Sequence, residues 1–183
     1  MPRFKDSLIK KVGDSLKNKF SSKFTDGLRG KGTVNVCLLR KSDGEVIGDY
    51  TDHNLIVKVG RSELVKLLAK QSTKGVTKMA IGKGGANLAT SPFSPVAPVD
   101  SDAGLYAQMG IVAISSTTVD TAVTNPKVTF VALFDCDVIN SLVNECGLLF
   151  DDNATIFARH TFKTVPLETG TDFALQITWT IEF

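Results

Sequence analysis

The sequence is poor in the residues that build metal centres, disulfide frameworks and sugar-stacking platforms. Its 183 residues include three cysteines, two histidines, two tyrosines and one tryptophan. Cys37, Cys136 and Cys146 are odd in number and widely spaced, with no C-x-x-C, so neither a disulfide framework nor a zinc knuckle is expected. With His53 and His160 they reach a metal only by long-range convergence. Three reduced thiols, matured in a reducing cytosol, is the simpler reading. No run approaches about eighteen consecutive apolar residues, so no helix is expected to cross a membrane. The opening residues lack the compact apolar core and small-residue cleavage site of a secretory signal, so none is expected.

Catalytic signatures are missing too. G-x-S-x-G, H-E-x-x-H and Cys-His arrangements do not occur. Ile81-Gly82-Lys83-Gly84-Gly85 invites a phosphate-loop reading, but its lysine precedes the second glycine and no helix signal follows, so a glycine-rich strand exit is preferred. Asp135, Asp137, Asp151 and Asp152 do not match a calcium loop, and Asp151-Asp152-Asn153 reads as a turn. The expectation is a protein that is not an enzyme, with no cofactor and no metal.

What is present is ordinary globular material with unevenly placed charge. Hydrophobic residues make up 43% and charged residues 22% of a 19.7 kDa chain, which excludes whole-chain disorder and suffices for one domain plus an extension. Residues 1–31 hold nine Lys or Arg against three Asp, a net +6; the rest carries 12 basic and 16 acidic side chains, a net −4. A basic arm of residues 1–31 is therefore joined to a mildly acidic body of residues 32–183. Such asymmetry suits an anionic surface: nucleic acid, lipid or an acidic partner.

The arm has helical character. Phe4, Leu8, Val12, Leu16, Phe20, Phe24 and Leu28 recur every fourth residue, with Lys10, Lys11 and Lys17 among the basic side chains between them. A four-residue spacing advances about 40° per step on a 3.6-residue turn. The predicted amphipathic helix therefore either wraps a curved partner or breaks near Gly13 or Ser21-Ser22, and Gly27 and Gly30 end it. Packing on its own body and docking on a neighbouring subunit both remain open. Nucleic acid is compatible but not favoured, and the arm has no Trp or Tyr to anchor it in a bilayer.

The body reads as mainly β. Strands are expected at 33–40, 45–51, 76–82, 110–118, 127–136, 145–150, 155–163 and 172–183, with a Ser42-Asp43-Gly44 hairpin turn. The last strand alternates most clearly: Phe173, Leu175, Ile177, Trp179, Ile181 and Phe183 form one predicted buried face. A short helix is expected near 55–70, with Leu55, Val59, Leu64, Leu67 and Leu68 on one side and Ser62 and Glu63 in its opening turn. Residues 83–101 read as a long loop. This pattern favours a single β-sandwich, jelly-roll-like. Glu145 and Arg159 sit in strongly apolar segments, where an unpaired charge is costly, so they are expected on or beside adjacent strands as structural polar residues that pair.

The order of several short segments carries a resemblance. These are His53-Asn54-Leu55-Ile56-Val57-Lys58-Val59-Gly60-Arg61, Met79-Ala80-Ile81-Gly82-Lys83-Gly84-Gly85 and Val128-Thr129-Phe130. They are followed by Asn144-Glu145-Cys146-Gly147-Leu148-Leu149-Phe150, Ile156 to Phe162, and Ile177 to Phe183. This succession, over residues 33–183, resembles a group of small structural proteins of tailed bacteriophages. Lys83 and Cys146 depart from its pattern, and the arm lies outside it. The resemblance implies a non-enzymatic virion component, made in the host bacterial cytoplasm. Such a component has other virion proteins as partners and assembles as a homo-oligomer. The tail or baseplate side is favoured over a capsid decoration or cement role. A carbohydrate-binding host-attachment module is the other alternative. Its weakness is the shortage of exposed aromatics, since Tyr50 and Tyr106 are the only tyrosines and Trp179 falls on the predicted buried face.

Overall fold

The computed structural model describes residues 30–84, 96–122, 124–136, 139 and 141–183. The arm residues Phe4, Leu8, Val12, Leu16, Phe20, Phe24, Lys10, Lys11 and Lys17 lie outside that set, as does most of the loop expected at 83–101. The described elements are β1 (Lys31–Arg40), β2 (Val46–Ile56), α1 (Lys58–Leu68), β3 (Val76–Gly82), β4 (Gln108–Ala113), β5 (Ser116–Asp120), β6 (Lys127–Asp135), β7 (Ser141–Phe150), β8 (Ile156–Leu167) and β9 (Phe173–Glu182). They form a curled, fully antiparallel nine-stranded sheet in the order β4-β3-β7-β8-β2-β1-β9-β6-β5.

The curl has a narrow waist. β2 follows β1 from Gly32↔Asn54 to Leu39↔Val46, but it meets β8 only through Leu55↔Arg159 and Ile56↔Ala158. Five strands on one side of this waist and four on the other close over a common core. Rows of side chains fill it: Val34 and Phe130 flank Trp179, and Val36 and Ala132 flank Ile177. Burying such side chains contributes about 1.5–3 kcal/mol each. Trp179 is completely buried and its indole N–H needs an acceptor. Asn54 supplies one when its amide is turned so that oxygen faces Trp179 Nε1 at 3.2 Å and nitrogen donates to the Gly32 carbonyl at 2.9 Å.

β9 lies inside the sheet, between β1 and β6, as its alternation requires. Its buried face is shorter than expected, because Phe173 is only half-buried and Phe183 is 44% exposed beyond the last paired residue. The single strand expected at 110–118 is instead two, since the chain turns at Ile114-Ser115 and passes from β3 to β6: β4 pairs with β3, and β5 with β6. β2 and β8 run past their expected ends.

The helix differs most. It opens at Lys58, so Ser62 and Glu63 lie in its second turn, where the Ser62 hydroxyl donates back to the Lys58 carbonyl at 2.9 Å. Its fully buried residues are Gly60 and Glu63, while Leu64 and Leu67 of the expected face pack partly against the core. Gly60 lets the helix lie directly on β8: a Cβ there would sit 2.1 Å from the Phe157 carbonyl oxygen. Leu64 and Leu67 are only partly covered, and Val65 and Leu68 are 65% and 77% exposed. The Gly60 backbone contact, with Leu64 and Leu67 partly packed beside it, sets which side of α1 faces the body.

Candidate interaction surface

Two places on the described body stand out: one on β7 and β8, the other beside α1. The first is a buried polar knot. β7 and β8 are neighbours, and Arg159 donates to Glu145 from Nε at 3.1 Å and from Nη2 at 2.8 Å. Both residues are fully buried. Three backbone N–H groups, of Gly84, Tyr106 and Ala107, also donate to the Glu145 carboxylate at 3.0, 3.1 and 2.9 Å. Arg159 Nη1 donates to Asp102 at 2.9 Å, and Asp102 accepts from the Val99 N–H at 3.0 Å and the Tyr106 hydroxyl at 3.2 Å. The guanidinium carbon lies 3.9 Å from the centre of the Tyr106 ring.

Each donor and acceptor of this cluster has an assigned task. The segment 99–107 crosses the outer face of β7 and β8 and is tied down through Asp102, Tyr106 and Ala107. Its approach requires a bare backbone at the strand exit, because a Cβ on Gly84 would lie 2.3 Å from Tyr106 Cβ. That gives the Gly82-Lys83-Gly84 segment a physical role unrelated to phosphate. Three segments that carry the sequence resemblance, at 82–84, 145 and 159, therefore converge on one structural clamp. Asp102 and Tyr106 were missed because nothing within a loop of small and polar residues marks its one buried carboxylate.

The second place is an apolar groove of about 1180 Å³ beside α1. It is lined by Leu64, Val65 and Leu68 of α1 together with Ile56, Gly30 and Phe183. Lys31 and Arg61 are the charged residues of its lining, and Arg61 is paired with Asp100 at 2.6 Å. Gly30 is the first described residue, so the basic arm joins the body inside this groove. The sequence held a clue that went unused: Leu64, Val65, Leu67 and Leu68 cover more of the helix circumference than one packed face requires.

The other candidates are structural. Cys37, Cys136 and Cys146 are buried and form no disulfide. Burial, reinforced by a hydrogen bond to Asp49, pushes the Cys37 thiol up to about 11, and burial also raises Cys146. His160 is 2% exposed, stacked between Tyr50 and Phe162, and its Nε2 has no partner. Burial lowers its pKa, opposed in part by Asp52. His53 is exposed on β2, away from any cluster of metal-ligating residues among the described residues. Asp152 accepts from the Ala154 and Thr155 N–H groups, which makes Asp151-Asp152-Asn153 the turn its sequence suggests. No protein-family description, curated protein or solved structure matches the chain.

Proposed function

We propose that the chain is a non-enzymatic structural component of a tailed-bacteriophage virion. It assembles in multiple copies on the tail or baseplate side, with the two parts of its curled sheet serving as the layers of a jelly-roll-like sandwich. Its partners are other virion proteins and further copies of itself, bridged by the distal part of the amphipathic arm, Phe4 to Phe20. The observation that carries this reading is the outward-turned apolar face of α1 beside Gly30, where the +6 arm joins the body. Apolar surface of that kind on a small domain favours coverage by protein. The clamp around Glu145 fits the same reading, because a buried, hydrogen-bonded charge cluster rigidifies a body.

A carbohydrate-binding role fares worse. Trp179 is buried, and the ring of Tyr106, which is 51% exposed, carries the Arg159 guanidinium on one face. A capsid decoration role uses the same surfaces and differs only in address. Immunogold electron microscopy of particles, with an antibody to this chain, tests the proposal. Label at the tail or baseplate is expected. Label on the head moves the protein to the capsid, and particles without label overturn the virion reading.

A further inference from the structure

We propose that the segment Phe24 to Leu28 folds back into the groove beside α1 of its own chain, latching the base of the arm and leaving Phe4 to Phe20 for a neighbour. This rests on the assembly reading only for the distal half; the latch itself follows from the body's geometry.

Three observations select this occupant. The first is connectivity. Gly30 lies in the groove wall, packed so closely that a Cβ on it would meet Ile56 Cδ1 at 2.8 Å and Phe183 Cε1 at 3.1 Å. Leu28, two residues earlier, reaches no more than about 7 Å from Gly30, and Phe24 about 20 Å in an extended chain. The groove wall formed by the 11-residue helix α1 is about 16 Å long, so the segment spans it. The second is charge. Residues 24–29 contain Asp26 and Arg29 and are neutral overall, whereas residues 1–23 carry seven basic against two acidic side chains. The charged side chains lining the groove, Lys31 and Arg61, are both cationic, although Arg61 is held by Asp100 at 2.6 Å, so the lining suits the neutral stretch better than the basic one. The third is chemistry: Phe24 and Leu28 are the large apolar groups within reach, and Val65, Leu68 and Phe183 are the exposed apolar groups they would cover. A tethered segment acts at an effective concentration in the millimolar range, so the chain's own segment outcompetes a neighbour's in dilute solution.

Hydrogen exchange of the full-length chain tests the latch. Amides of residues 24–29 should exchange at least about tenfold more slowly than in a Phe24→Ser, Leu28→Ser variant. The protection should be the same at low and high micromolar protein. Val65→Asp with Leu68→Asp should abolish it, while circular dichroism and the melting temperature of the body stay unchanged. Protection that disappears on dilution means that a second copy's arm fills the groove, and overturns the proposal. Absence of protection at every concentration overturns it as well. Neither outcome depends on particles, so failure of the latch is distinguishable from failure of the virion reading.

Discussion

Around Glu145, three charged side chains have partners for their polar atoms and almost no contact with solvent. Beside α1, Val65 and Leu68 stand 65% and 77% exposed in a mostly apolar groove. Both sites lean on β8, and both depend on a glycine that lets another backbone approach. They differ in what completes them. The clamp is closed by groups that this chain supplies within the described body, and a buried carboxylate with five donors has nothing further to gain from a partner. The groove is left open by the same body, and apolar surface gains free energy whenever something covers it. Polar residues inside and apolar residues outside thus mark the rigid part and the sticky part respectively.

The largest effect should come from breaking the clamp. Arg159→Met removes the partner of two buried carboxylates and should cost about 3–5 kcal/mol of folding free energy. Urea denaturation reads this directly. Arg159→Lys keeps the charge but lacks the fork that serves Glu145 and Asp102 at once, so it should recover only part of the loss. A cost below about 1 kcal/mol for Arg159→Met would show that the cluster is tolerated rather than needed.

Gly60→Ala should come next. Its new methyl meets the Phe157 carbonyl, so α1 must lift from β8 at a cost of about 1–3 kcal/mol, comparable to other overpacked sites. The same change elsewhere in a helix is stabilising by about 1 kcal/mol, so the sign alone decides whether the close contact is real.

His160 sharpens the comparison from the core side. Its ordinary pKa is 6.5 and burial lowers the folded value. The unfolded chain therefore binds the proton first. Stability contributed by the neutral ring is complete above pH 6.5 and is lost as pH falls through the folded value. The groups facing the ring act in both directions, Asp52 raising its pKa and Arg159 lowering it. Asp43, Asp52 and Asp152, held below 3.8 by hydrogen bonds, act in a separate and more acidic window. Melting curves from pH 8 to pH 5 should show a decline that His160→Phe flattens. An equal decline in both proteins would assign it to other groups.

The smallest effect on folding should come from the groove. Val65→Ser with Leu68→Ser alters exposed side chains and should change body stability by no more than about 0.5 kcal/mol. If the melting temperature falls as far as in Gly60→Ala, the helix face is part of the core and the contrast between the two sites fails.

Much of the strand layout was legible because period-two alternation in a half-buried strand leaves its mark in the sequence. β9 shows it best: Leu175, Ile177, Trp179 and Ile181 are buried where alternation puts them. The pairing of Glu145 with Arg159 was legible for a different reason, since a charge inside an apolar strand demands a partner. Which third residue would join them was not. Asp102 lies 57 positions from Arg159 along the chain, and no local pattern connects the two. The break between β4 and β5 was hidden as well, because Gly110 to Thr118 alternates acceptably for one strand although the chain crosses between two partners.

By itself the sequence determined a mainly β body, an internal final strand, a paired buried charge and a basic apolar-striped arm. Each of these follows from side-chain chemistry repeated at short range. Only the tertiary structure decided that α1 lies on β8 by its glycine and turns Val65 and Leu68 outward. It also decided that the arm joins the body within an apolar groove. Those outcomes depend on how closely two backbones approach and on which distant segments share a surface. Distances across a fold are set by all the packing between the segments, and residue order along the chain does not record them.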